Sequence, residues 1–237
     1  MVQDWSVTRA EAMPTPTFFN LPREKRERFL DAALDEFALH DYRSASLGRI
    51  VATVGIAKGS VYQYFAGKQE LYLYLVTLAA ETKFSFIDAS LPGDVADFFE
   101  RFRLSVYHGA RFDFSRPRLG SLLYNATYEP SGAATLQVAA QLRAASLQYL
   151  RTLVEAGIRN AELRDDLDVD YVVFALYQLT VSLRDFLGER FGFSFKAAVR
   201  QGSGSPIDDA ALHAVLDQMA DLLRQGLAGP EPGRDVT

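Results

Sequence analysis

Residues 46–65, Ser46-Leu47-Gly48-Arg49-Ile50-Val51-Ala52-Thr53-Val54-Gly55-Ile56-Ala57-Lys58-Gly59-Ser60-Val61-Tyr62-Gln63-Tyr64-Phe65, read as two short helices around a tight turn. Serine is a favoured N-cap and glycine a favoured helix stop, so Ser46 opens a helix of about eight or nine residues and Gly55 closes it. Leu47, Ile50, Val51 and Val54 give that helix one apolar side. The compact Gly55-Ile56-Ala57 then leads into a second helix. Val61 and Phe65, four residues apart, face inward; Lys58, Ser60, Gln63 and Tyr64 supply a hydrogen-bonding side. A bracing helix, a turn of small residues and a two-sided second helix meet the requirements of a helix-turn-helix, whose second helix lies in a major groove. A plain helical hairpin has the same generic pattern.

The charge around this stretch is uneven. Tyr42–Gln69 holds Arg43, Arg49, Lys58 and Lys68 and no acidic residue, in a chain of net charge −5. Residues 1–70 balance nine basic against nine acidic side chains, so residues 71–237 carry the whole −5. A local basic footprint on an acidic chain fits a restricted nucleic-acid surface and argues against indiscriminate coating of nucleic acid.

Upstream, residues 1–20 show no periodicity and are expected to form a poorly ordered arm. A helix is expected from Leu21-Pro22-Arg23 to about His40, with Phe29, Ala33 and Phe37 on one face and Leu30 and Leu34 beside them. Downstream of Ala66-Gly67, an apolar helix runs from Lys68 to about Ile87. Helical patterns continue near 94–115, 118–128, 132–161, 169–191 and 207–228. Residues 192–206, with Gly202-Ser203-Gly204-Ser205, read as a loop, and the stretch from Gly229 as a frayed tail. No alternating segments bounded by hairpin turns appear, so strands are not expected.

Composition narrows the function classes. The length of 237 residues allows one or two domains, and 49% hydrophobic with 23% charged residues is ordinary globular composition. With no cysteine there are no disulfides, thiolate metal sites or cysteine nucleophile; His40, His108 and His213 are far apart in sequence. No uncharged stretch exceeds 13 residues (Pro130–Leu142 and Tyr171–Leu183), short of the roughly 18 a membrane span needs. No signal peptide is visible, and the chain reads as soluble and cytoplasmic. HExxH, GxSxG, Walker and GxGxxG patterns are all missing, so neither an enzyme, nor a cofactor, nor a metal site is expected.

The stretch Ser46–Leu71 resembles the DNA-binding signature of the tetracycline-repressor (TetR) family: a serine or threonine cap, an apolar helix, Gly-Val, a small turn, Lys-Gly-Ser/Thr-Leu-Tyr-x-His/Tyr-Phe and Lys-x-x-Leu. The resemblance implies that Ser46, Lys58, Ser60, Tyr62, Gln63, Tyr64 and Lys68 meet DNA. Gln63 occupies the most variable position, and a glutamine can bond adenine N6 and N7 bidentately, so it is the expected base reader. Ser46, Tyr62 and Lys68 are assigned to the DNA backbone. Tyr64 stands where histidine is commoner, leaving it to pack against the domain or meet DNA. Gly48 replaces a longer polar residue and removes one phosphate contact.

The resemblance further implies an all-α fold. An N-terminal three-helix helix-turn-helix domain (21–68) follows the arm (1–20), and a helical ligand-binding and dimerisation domain (69–228) precedes the tail (229–237). The expected partners are a palindromic double-stranded operator, a small-molecule effector and a second copy of the chain, with no membrane. Aromatics are dense over 84–128, and most of them at helical spacing are core. From this region and beyond, Phe98, Phe102, Arg103, Tyr107, Phe112, Tyr124, Asn125, Tyr128 and Gln178 are the candidate effector contacts. Arg101, Arg103, Arg111, Arg116 and Arg118 would suit an anionic group on an apolar effector, such as a fatty acid or acyl-CoA. The helices near 169–191 and 207–228 are the expected dimerisation pair. The function implied is a repressor released from its operator by ligand; an activator, a ligand-independent regulator and a helical interaction module are the alternatives.

Overall fold

The computed structural model describes residues 14–93, 97–128, 130, 132–201 and 207–229. Those residues form helices α1 (Pro16–Phe19), α2 (Arg23–Leu39), α3 (Leu47–Val54), α4 (Lys58–Tyr64), α5 (Lys68–Ser90), α6 (Phe98–Ser115), α7 (Pro117–Tyr128), α8 (Ala133–Arg159), α9 (Val169–Phe191), α10 (Phe195–Gln201) and α11 (Asp209–Leu227). No strand occurs among them; Leu163 and Ala228 share one isolated antiparallel bridge. The expected all-α fold is what the chain adopts.

The described residues fall into two compact units. The first draws on Met1–Ser85, Phe112–Arg143 and Ser194–Gly204; the second on Phe86–Arg111, Ala144–Phe193 and Ser205–Thr237. This division differs from the expected boundary at residue 68. Most of α5, the whole of α7 and the start of α8 share the first unit with the helix-turn-helix.

In the first unit the spacing of four along α2 buries Phe29, Ala33 and Phe37. They join Ile50 and Val51 of α3, Val61 of α4 and Phe65 at its C-cap, Leu71 and Leu75 of α5, and Leu122 and Ala126 of α7 in one core. The turn between α3 and α4 depends on Gly55, whose φ of +76° lies in the left-handed region. Both the Gly55 and the Ile56 N–H donate to the Val51 carbonyl, at 2.9 and 3.1 Å, which ends α3.

Helix α7 is fastened to α2. Arg118 pairs with Asp31 at 3.3 Å and with Asp35 at 3.1 Å. The buried Asn125 side chain donates to the Phe37 carbonyl at 3.3 Å, in the last turn of α2, where carbonyls lack helical donors.

The second unit buries Phe98, Phe99 and Phe102 of α6, Leu150 and Val154 of α8, Val172, Val173 and Leu176 of α9, and Leu212 and Leu216 of α11. Asp168 and Asp208 cap α9 and α11, accepting from the N–H groups of Tyr171 (3.1 Å) and Ala211 (2.7 Å).

Two expectations are corrected. The loop expected over 192–206 contains α10: the Ser194 carbonyl accepts the Ala198 N–H at 3.0 Å, Ala198 is buried, and the helix packs against α2 and α7. The arm does not extend to residue 20, because Pro14 and Phe18 are buried and Pro16–Phe19 is helical. The remaining arm (1–13), the glycine-serine run (202–206) and the tail from residue 230 lie outside the described residues.

Candidate nucleic-acid interface

Helix α4 is divided as its sequence dictates. Val61 and Phe65 are fully buried, while Lys58, Tyr62 and Gln63 are exposed, Tyr62 at 56%. Ser60 is half-buried. An exposed tyrosine of that size beside an exposed glutamine and lysine is a surface of donors and acceptors. Alanine and threonine at 52 and 53 on α3 and Arg43 ahead of it are exposed as well.

The brace that orients these helices centres on Glu36, which is only 8% exposed. Its carboxylate accepts the Ser46 N–H at 2.7 Å and both the Nε (3.0 Å) and an Nη of Arg49. Burial pushes the Glu36 carboxyl up, but the Arg49 hydrogen bonds and the Ser46 amide outweigh it and hold the group below its usual range. Ser46 has the extended backbone of an N-cap but makes no side-chain cap; Glu36 instead holds the N–H of Ser46 itself and so fixes where α3 starts. Sequence reasoning missed Glu36. The available signal was a carboxylate on the apolar face of α2, between Ala33 and Phe37, where a charge requires a partner.

Lys68 is reassigned. Its ammonium donates to the carbonyls of Tyr42 (2.7 Å), Arg43 (3.3 Å) and Ala45 (2.9 Å) and stands 4.7 Å from the Tyr42 ring centroid. An ammonium has three protons, and these carbonyls use all of them. Lys68 fixes the loop before α3 rather than presenting a donor to phosphate. Tyr64 is half-buried, with its ring 5.7 Å from Phe29 and 6.1 Å from Phe18. Of the two roles open to it, packing is the one its surroundings supply.

The candidate effector residues are split between the units. Phe112, Tyr124, Asn125 and Tyr128 lie in the first; Phe98, Phe102, Arg103, Tyr107 and Gln178 lie in the second. Phe112 is buried, with the Lys83 ammonium 5.8 Å and the Arg116 guanidinium 5.2 Å from its ring. Tyr124 and Tyr128 approach to 4.9 Å, and Asn125 is committed to the Phe37 carbonyl. Phe98 and Phe102 stack 6.4 Å apart in the core of their unit. Tyr107 stacks on His213 at 4.4 Å.

Two residues depart from the effector expectation. Arg103 already pairs with Glu100 at 2.7 Å and Asp217 at 3.2 Å and contacts His213 Nδ1 at 3.0 Å, so its charge is compensated. Gln178 is exposed on the same helical face as Tyr171 and Phe174 and does not enter the interior of its unit. Arg111 and Arg118 are likewise paired, with Asp209 (3.0 Å) and with Asp31 and Asp35.

Comparison with known proteins places both parts of the chain. Residues 29–75 match the family described as bacterial regulatory proteins, tetR family, and residues 96–228 match the tetracyclin repressor-like C-terminal domain. A crystal structure of a TetR family transcriptional regulator from Chloroflexus aurantiacus J-10-FL is 42% identical, with a TM-score of 0.77 over 92% of this chain and 100% of that one. The HTH-type transcriptional activator FasR of Mycolicibacterium smegmatis is 32% identical over 53% of this chain and 56% of its own length. The Bacillus subtilis regulator FadR, solved in complex with stearoyl-CoA, is 19% identical with a TM-score of 0.61 over 84% of this chain and 98% of that one, which is a likeness of fold.

Proposed function

Because the chain belongs to the tetR family of bacterial regulatory proteins, helix-turn-helix transcription regulators with a C-terminal ligand-binding domain, we propose that it is a dimeric repressor that leaves a palindromic operator on binding a small apolar effector. The observation that carries the reading is the two-sided α4: Val61 and Phe65 hold it to the core while Lys58, Tyr62 and Gln63 stand free. Gln63 reads a base, and Tyr62, Lys58 and the Ser46 hydroxyl set the register on the sugar-phosphate backbone.

Two observations on the second unit support the dimer. Helix α9 leaves Tyr171, Phe174, Leu179 and Phe186 exposed, Tyr171 at 69%, and α11 leaves Leu222 at 72%. Apolar side chains repeated along one helix in this way mark an interface. A two-fold dimer also supplies the paired recognition helices that half-sites roughly 34–36 Å apart require. No helix among the described residues is long and apolar enough to cross a membrane, and the proposed place of action is the cytoplasm.

For the effector, the aromatic content of α6 and α7 and the fold shared with a stearoyl-CoA-binding regulator favour a long acyl chain. The paired arginines give less support to the acidic end of such a ligand than to its tail. A second reading, an activator, is favoured by FasR, a transcriptional activator with which half of this chain aligns.

Selection from random duplex DNA, native mass spectrometry of the complex and titration with stearate and stearoyl-CoA test the reading. The expected result is an enriched inverted repeat carrying two copies of the chain and released by the acyl ligand. Transcription in vitro from a promoter containing that repeat separates repressor from activator. Failure to enrich any sequence from ligand-stripped protein would leave the helix-turn-helix as a structural hairpin.

A further inference from the structure

The last turn of α4 is held from outside the helix-turn-helix. A seven-residue helix has few internal hydrogen bonds, and its final carbonyls have no donors of their own. The Val61 carbonyl takes the Phe65 N–H at 2.8 Å. The Tyr64 carbonyl takes the backbone N–H of Thr15 at 2.9 Å, and the Gln63 carbonyl takes the Thr15 hydroxyl. Thr15 sits at the N-cap of α1 in an extended conformation, yet its hydroxyl makes no cap to its own helix. It reaches instead across 48 positions of sequence to the backbone of the residue assigned to base reading.

Three residues on, Phe18 anchors this contact. Its side chain is fully buried, with ring centroids of Phe65 at 5.0 Å, Tyr74 at 6.0 Å, Tyr64 at 6.1 Å and Phe29 at 6.2 Å. Thr15 is thus fixed relative to the core on one side and to the end of α4 on the other. Tyr62 and Gln63, the outward side chains of the last turn, project from the segment whose carbonyls Thr15 holds.

We propose that Thr15 is a positioning residue for DNA recognition: by donating to the Gln63 and Tyr64 carbonyls it sets the direction in which the end of α4 presents its side chains to a base pair. The proposal rests on the DNA-binding reading above. Thr15 acts through the backbone of the reader, so its loss degrades discrimination more than attraction. Non-specific binding, driven by phosphate charge, does not need the orientation of one side chain.

The test compares wild type, Thr15→Val and Thr15→Ser for affinity to the selected operator, affinity to a scrambled duplex of equal composition, and thermal unfolding. Valine keeps the shape and the backbone N–H and removes only the hydroxyl donor. Loss of one net hydrogen bond corresponds to about three- to tenfold weaker operator binding for Thr15→Val. Affinity for the scrambled duplex is expected to stay at the wild-type value and the unfolding midpoint to fall by about 2–4 °C at most, and Thr15→Ser to restore operator affinity to within about twofold, because the donor returns. Wild-type operator affinity in Thr15→Val overturns the proposal alone. So does a loss shared equally by both duplexes. A wild-type chain that does not distinguish the two duplexes overturns the DNA-binding reading as well.

Discussion

The ammonium of Lys68 donates to the carbonyl of Tyr42 at 2.7 Å and stands 4.7 Å from the centroid of the same residue's ring. The start of α5 is thereby tied to the loop that delivers α3, with the Arg43 and Ala45 carbonyls completing the set. Replacing Lys68 by Met leaves three carbonyls without their charged donor. The expected cost is about 2–3 kcal/mol of folding stability, read from denaturant unfolding. The salt dependence of operator binding should keep its slope. A slope smaller by about two per dimer would restore the phosphate contact that the motif position implies.

Glu36 makes stability depend on acid. Its folded carboxyl is held below the ordinary value by Arg49 and the Ser46 amide against the opposing effect of burial. The carboxylate's contribution is therefore in full effect above the unfolded carboxylate pKa of about 4.3 and is lost as pH falls through the lower folded value. Glu36→Gln should cost about 1–3 kcal/mol at neutral pH. The difference from wild type should narrow below about pH 4. Parallel stability curves at all pH values would show that the ion pair contributes no linkage.

Gly55 carries the turn. An added Cβ meets no atom within 4 Å, so the cost of Gly55→Ala is conformational alone, from φ +76°. About 1–2 kcal/mol of destabilisation is expected, with Gly55→Asn milder because asparagine tolerates the left-handed region. Equal stability of the alanine variant would mean that the turn relaxes to another geometry.

The exposed face of α9 tests the dimer. Phe174→Asp places a charge between Tyr171 and Gln178 on that face. Sedimentation should show a monomer where wild type is a dimer, with operator affinity lost and the helical circular dichroism retained. A dimeric variant with intact binding would move the interface elsewhere.

Local patterns were legible in the sequence because their causes are local. The two-sided α4, the glycine stop at 55 and the inward face of α2 follow from spacing and from residue conformational preference. What could not be read were partners distant along the chain. Lys68 looks like a phosphate ligand until the carbonyls of 42–45 are brought beneath it. Arg103 looks available until Asp217 of α11 reaches it, and Asn125 looks like an effector contact until the end of α2 supplies the Phe37 carbonyl. Helix α10 was hidden by the glycine-serine run beside it, and the arm lost its last residues to the core because one aromatic, Phe18, finds four rings there.

Operator recognition by this chain depends most on Gln63 reading a base. The direct measurement is the affinity of wild type and Gln63→Ala for the selected operator and for operators substituted at each position of the half-site. Wild type should lose about 1–3 kcal/mol on substitution of one A·T pair, and Gln63→Ala should be indifferent there while discriminating normally elsewhere. A Gln63→Ala variant that keeps the wild-type discrimination at every position would contradict the assignment of α4 as the reading helix.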